Sequence, residues 1–209
     1  MPAAVHVPPC ICAAVEGPTD EAVVRRLLVE CGLPEPRVYG RQGRAAIRKS
    51  LEGYNAAAKL SPWVVLVDLD TDAECVPTLV ADWLPSPSVP MCFRVAVREV
   101  EAWLLADAKR LSAFLSVSPA RLPHAPDTVE HPKEFVVNLA RRSRQRAVRE
   151  DMVPRPPSGR SVGPAYGSRL SEFVTEGRVG WRPDVAAQAS PSLRSCLRAL
   201  RRLAETVRA

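Results

Sequence analysis

No apolar run in these 209 residues approaches the roughly 20 that a membrane-spanning helix needs, so a membrane partner is not expected. The opening stretch, MPAAVHVPPCICAAV, lacks the positive n-region of a signal peptide, and the expected location is cytoplasmic. There is no GxxxxGK[ST] and no GxGxxG, which excludes a P-loop and a dinucleotide fingerprint. Histidine is scarce. His6, His124 and His131 show neither HExxH nor i,i+4 spacing, so a histidine-based metal centre is not expected. Of the six cysteines, Cys10 and Cys12 form C-x-C, which lacks zinc-ligand spacing and has no partner pair. The thiols read as free and buried.

What is present is a chain long enough for a real core, with 46% hydrophobic and 25% charged residues. The net charge of +6 is unevenly placed. Residues 1–110 carry 12 basic and 14 acidic residues, and residues 111–209 carry 17 and 9, so the whole basic excess lies in the second half. A basic half joined to an acidic one suits a polyanionic partner, and it equally suits an arginine-rich solvated surface.

The first 110 residues alternate between strand and helix patterns. Strands are expected at 10–16, in PRVYGRQG, in PWVVLVDLD and in MCFRVAV. Helices are expected at 19–31, capped by Thr19 and ended by Gly32, at 44–59, at 73–84 and at 98–111. Strands apolar on both faces with helical connections imply parallel βαβ units. The second half reads as helical and loop-rich. A basic helix is expected over 132–149, with Arg142, Arg146 and Arg149 on one face, followed by a Pro/Gly/Ser-rich loop at 151–167. The tail from Ser192 is amphipathic, with Leu193, Cys196, Leu197, Leu200, Leu203 and Val207 on one stripe.

Acids fall at equivalent places along this pattern. Glu16 ends the first strand, Asp68, Asp70 and Asp72 end the third, and Glu99 and Glu101 follow the fourth. In a parallel sheet those ends share one edge, where open α/β sheets bind ligands. Crowded carboxylates repel, and a hard cation such as Mg²⁺ or Mn²⁺ removes the repulsion. Each acid taken singly could instead cap a helix. An EF-hand is excluded, because Ala73 and Leu79 stand where its Gly and Glu belong. A metal-dependent phosphatase with an aspartate pair after a strand is a weaker alternative.

The strand-terminal VEGPTDEAV, followed some fifty residues later by VVLVDLD, resembles the Toprim domain of topoisomerases, primases and old-type nucleases. VAVREVEAWLLAD and VGPAYGSRLSEFV are further similar to a small uncharacterised bacterial Toprim-like family suspected in phage defence. The resemblance implies a four-stranded, mainly parallel α/β domain over 1–110 with a basic helical extension over 111–209 packed on it. It implies Glu16 as the Toprim glutamate and Asp68 and Asp70 as the D-x-D pair. The chain departs from better-known members in having no zinc ribbon, no tyrosine in a nucleophile context and no ATPase domain.

The expected function is Mg²⁺-dependent phosphodiester hydrolysis on nucleic acid, with phage or plasmid defence as its expected setting. Asp68, Asp70, Asp72 and Glu99 are the expected metal ligands, and Glu16 and Glu101 the catalytic carboxylates. Helical spacing keeps Glu99 and Glu101 from pointing the same way, and the resemblance implies Glu101 rather than Glu99. Arg41 and Arg44 are expected to hold phosphate, and Arg142, Arg146 and Arg149 the nucleic acid backbone. The alternative is a non-catalytic subunit or regulator of a partner ATPase or another defence-system subunit.

Overall fold

The apolar run before Glu16 becomes strand β1 (Cys12–Val15), shorter than the expected 10–16. It is the first strand of a computed structural model that describes residues 10–70, 75–156 and 158–208. Helix α1 (Pro18–Glu30) follows, then β2 (Arg37–Gly40), α2 (Arg44–Ala57), β3 (Trp63–Asp68), α3 (Val76–Trp83), β4 (Met91–Ala96) and α4 (Val100–Leu105). The second half adds α5 (Ala108–Phe114), two 3₁₀ turns, α6 (Pro132–Arg141), α7 (Arg146–Met152), α8 (Tyr166–Thr175), α9 (Pro183–Ala189) and α10 (Pro191–Arg208). The sheet order is β2-β1-β3-β4 and every pairing is parallel, so the expected α/β class with helices flanking the sheet is what the chain adopts.

Strand alternation sorts the core into two layers. Ile11, Ala13, Val15, Val64, Leu66, Cys92 and Ala96 face α1, α4 and the helices of the second half. Cys12, Ala14, Trp63, Val65, Val67, Met91, Phe93 and Val95 face Ile47 and Leu51 of α2 and Leu79 of α3. The tail stripe also takes its expected place, with Leu193, Cys196, Leu197, Leu200 and Leu203 buried on the first face. One contiguous cluster therefore joins residues from both halves. Trp103 and Trp181 lock it: Trp181 Nε1 donates to the Trp103 carbonyl (3.1 Å) and Trp103 Nε1 to Ser192 Oγ (2.6 Å).

Several local expectations are corrected. Gly17, not Thr19, precedes α1; its backbone is extended and its N–H is taken by Asp20 Oδ2 at 2.7 Å, with Pro18 opening the helix. Gly32 does end it, with φ +67. The helix expected over 98–111 is two helices. The break falls at Asp107, whose buried carboxylate takes the Arg182 guanidinium (2.6 and 2.9 Å) and the Arg182 N–H. The basic helix expected over 132–149 is also two helices, interrupted from Arg142 to Gln145, so Arg142, Arg146 and Arg149 do not share one helix face. There the Ser143 carbonyl leaves the ladder and accepts from Arg149 Nη1 at 2.5 Å. β2 is not apolar on both faces: it is an edge strand with Arg37 and Tyr39 exposed. Cys12, Cys31, Cys92 and Cys196 are buried free thiols, whereas Cys10 and Cys75 are exposed.

Gly40 ends β2 beside Val15, the residue that presents Glu16. Its φ is +86, and an added Cβ would stand 2.6 Å from the Val15 carbonyl oxygen. Backbone strain and a backbone clash should act together. Gly40→Ala is expected to lower unfolding free energy by about 3 kcal/mol or more, read by urea denaturation. A loss below about 1 kcal/mol would show that the β1–β2 register tolerates the side chain.

Candidate functional site

All four strands point the same way, so their C-terminal ends form one edge. Glu16 stands just past β1, Asp68 closes β3, and Glu101 lies in the first turn of α4 after β4. All three line one cleft of about 320 Å³, together with Asp20 of α1, Lys133 of α6 and Tyr166 of α8. Glu101 is 2% exposed, Asp68 7% and Asp20 8%, so the cleft carries carboxylates of the kind that rarely enter a core unpaired.

Each carboxylate is tethered through one oxygen. Glu16 Oε1 accepts the Asp68 N–H at 3.0 Å and lies 3.7 Å from Arg44 Nη1. Asp20 Oδ2 accepts from Gly17 N–H, and Asp68 Oδ1 accepts the Val100 N–H at 2.9 Å. Glu101 Oε1 accepts from Tyr166 Oη at 3.1 Å. The second oxygen of Glu101, Oε2, is buried and has no hydrogen-bond partner among the described residues. Buried acceptors without a donor are costly, so this atom marks where the cleft is incomplete.

The electrostatics follow from burial. Burial pushes the Asp20 carboxyl up to about 7, and the negative charges of Glu101 and Glu16 push the same way. Asp68 is raised well above the usual carboxylate range by burial and by Asp20, Glu101 and Glu16. Glu16 and Glu101 are raised too, burial being the main cause in both; Arg44 opposes it for Glu16, and Lys133 for Glu101. Burial works against the Lys133 charge, but Glu101, Glu99 and Asp68 overcome it, and the ammonium is held well above its ordinary range. Tyr166 is raised by burial and by the Glu101 charge, so it remains a proton donor.

The other expected site residues are placed as follows. Glu99 turns to α6: its carboxylate accepts the Lys133 N–H at 2.6 Å and pairs with Lys133 Nζ at 3.2 Å, so it caps that helix. Asp70 lies 3.7 Å from Arg44 Nη1. Arg44 also donates to the Asp68 carbonyl and stacks over the Trp83 ring at 4.7 Å, so it belongs to the acid edge. Arg41 does not face the cleft residues; it pairs with Glu21 at 2.6 Å. Asp72 lies outside the described residues. Arg142 and Arg146 are exposed, Arg146 pairing with Glu150 at 2.7 Å. Arg41, Asp70 and Arg98, each just past a strand, have φ of +66, +49 and +61, a concentration of backbone strain along this edge.

Three cleft residues escape the spacing of acids at strand ends. Asp20 carries a signal, the Gly17-x-x-Asp20 spacing of a helix start. Lys133 and Tyr166 carry none, because only the packing of α6 and α8 against α4 and α1 brings them in. Among the described residues, no three histidine, cysteine, aspartate or glutamate side chains are grouped to hold a metal ion as they stand.

A raised carboxyl pKa destabilises the fold as pH climbs. The unfolded chain releases the Asp20 proton near pH 4 and the folded chain near 7, so the folded state binds more protons in between and stability falls across that window. In metal-free buffer the melting temperature should be lower at pH 8 than at pH 5. Asp20→Asn keeps the cap to Gly17 and cannot ionise, so it should shrink that difference. An unchanged difference would show that Asp20 is ionised throughout.

No protein-family model, curated protein or solved structure matches the chain.

Proposed function

We propose that the chain is a divalent-cation-dependent phosphodiesterase acting on nucleic acid, with the acid cleft as its active site. The observation that supports this most is the convergence of Glu16, Asp68 and Glu101, from three separate strand ends, into one cleft where a buried Glu101 oxygen has no partner among the described residues. The donor set fits a hard cation by chemistry: Glu16, Asp20, Asp68 and Glu101 offer oxygen only. Glu16 and Asp68 would hold Mg²⁺ or Mn²⁺, and Asp70, which stands outside the cleft beside Arg44, would have to turn in to join them. When bound, the cation supplies Lewis-acid polarisation of the phosphoryl group and charge neutralisation.

The remaining chemistry belongs to the chain's own residues. Glu101, raised by burial and fixed by the Tyr166 hydroxyl, can hold a proton at Oε2 and donate it to a leaving oxygen. Lys133 places a lasting positive charge beside the same carboxylates, suited to an anionic transition state. Arg44 orients Glu16 and Asp70. The loop after α7 borders the cleft through Val162, and beside it Arg155 and Arg160 line a hollow of about 190 Å³ with no carboxylate among the described residues of its walls. That hollow is a better place for a substrate phosphate than Arg142, Arg146 and Arg149, which the broken helix disperses.

The alternative is a non-catalytic subunit that keeps the fold, such as a regulator of a partner ATPase. Lys133 favours it, because its ammonium already offsets the charge that a cation would otherwise neutralise.

Labelled single- and double-stranded DNA and RNA, incubated with pure protein and Mg²⁺, Mn²⁺ or EDTA, separate the two. Cleavage is expected only with the divalent ion. Asp68→Asn, which retains the bond to Val100, and Glu101→Gln should each lower it by about 10²-fold or more. No cleavage, together with no Mg²⁺ heat by calorimetry, would favour the non-catalytic subunit. For binding, Arg155→Gln with Arg160→Gln should reduce the log–log salt slope on duplex DNA by nearly two units, about 0.9 per lost phosphate contact. Arg142→Gln with Arg146→Gln should leave it close to unchanged.

A further inference from the structure

On the far side of the sheet from β2, strand β4 pairs with β3 on one side and, among the described residues, with no strand on the other. The Trp63 N–H bonds the Pro90 carbonyl and the Leu69 N–H the Ala96 carbonyl, so the even-numbered residues of β4 face β3. By alternation, Phe93 and Val95 turn their N–H and C=O groups outward. The Met91 N–H is closed locally by the Ser88 carbonyl at 2.9 Å. Edges of this kind pair with added strands unless they are covered.

This edge is not flat surface. A groove of about 350 Å³ runs beside Met91–Arg94, walled by Val80 and Leu84 from the α3 side and by Ala199 and Leu203 of α10. Val89, at its rim, is 91% exposed. Among the described residues no carboxylate lines the groove, but two arginines do, Arg94 and Arg202. Arg94 Nη2 donates to Ser195 Oγ at 3.3 Å, while its Nε is buried and has no hydrogen-bond partner among the described residues. Neither arginine has a carboxylate within ion-pair distance among the described residues, although most other arginines of the second-half helices are paired or bonded to carbonyls.

We propose that the β4 edge takes up an extended segment of a partner protein as a fifth strand, and that the segment carries a carboxylate for Arg94 and Arg202. The outward amides supply strand pairing, the apolar walls take alternate side chains, and the two guanidinium groups select an acid. Charge argues against a second copy of this chain. A two-fold pairing of β4 with itself would bring Arg94 and Arg202 of each copy against the same positive edge.

The test selects displayed random 12-residue peptides on the immobilised full-length protein, then measures a synthetic copy of the most enriched peptide by fluorescence anisotropy. Enriched peptides should alternate apolar residues with at least one Asp or Glu. Arg202→Glu, an exposed change that leaves the core intact, should weaken binding by about tenfold or more, and Arg94→Gln should weaken it too. Residue-resolved amide exchange should show the Phe93 N–H slowing on binding, while Cys92 and Arg94, already bonded to β3, change little. The proposal is overturned by no enrichment, by enriched peptides without acids, or by an unprotected Phe93 amide. It is also overturned by a concentration-dependent dimer that protects Phe93, or by an oligonucleotide that binds here in place of any peptide and is lost in Arg202→Glu.

Discussion

Negative charge buried at one edge of the sheet is the constraint around which this fold is arranged. Carboxylates taken out of water must find donors. For three of them the donors are main-chain amides at helix starts. Asp20 takes the amide that opens α1, Asp68 the amide that opens α4 and Glu99 an amide in the first turn of α6. Three helix N-termini thus converge where the acids lie, and their partial positive charge adds to that of Lys133. Asp20 and Asp68 hold the fold together through one oxygen and line the cleft.

Helix α4 turns that constraint into architecture. All six of its residues are buried, Glu101 among them, so it cannot be an ordinary amphipathic surface helix. It lies between the sheet and the second half, and the second half covers it. Trp181 and Ser192 bond to Trp103, Arg182 holds Asp107 at the end of α4, and Tyr166 holds Glu101. The second half is therefore not an independent basic appendage: it completes both the core and the cleft.

The same packing redistributes the basic excess. Arg146, Arg169, Arg182 and Arg201 pair with acids, and Arg149 and Arg194 bond to carbonyls. Among the described residues, Arg155 and Arg160 in the loop beside the cleft and Arg94 and Arg202 in the groove beside β4 have no carboxylate within ion-pair distance and line hollows of the surface. A net charge of +6 gives neither location.

The sequence by itself determined the parallel βαβ order, because buried strands and helical connections have distinct periodicities, and it determined that Glu16, Asp68 and Glu101 would meet. Parallel strands share a C-terminal edge, so acids at strand ends are brought together by topology alone. The tail stripe was legible for the same reason, a 3.6-residue period across its length. Tertiary structure decided what periodicity does not encode. Asp107 and Ser143 break two helices because their polar groups bond to Arg182 and Arg149. Glu99 and Glu101 part because Lys133 takes one and Tyr166 the other. Lys133 and Tyr166 enter the cleft from 32 and 65 residues beyond Glu101 in the chain, a separation that only the packing of α6 and α8 around a buried α4 can close.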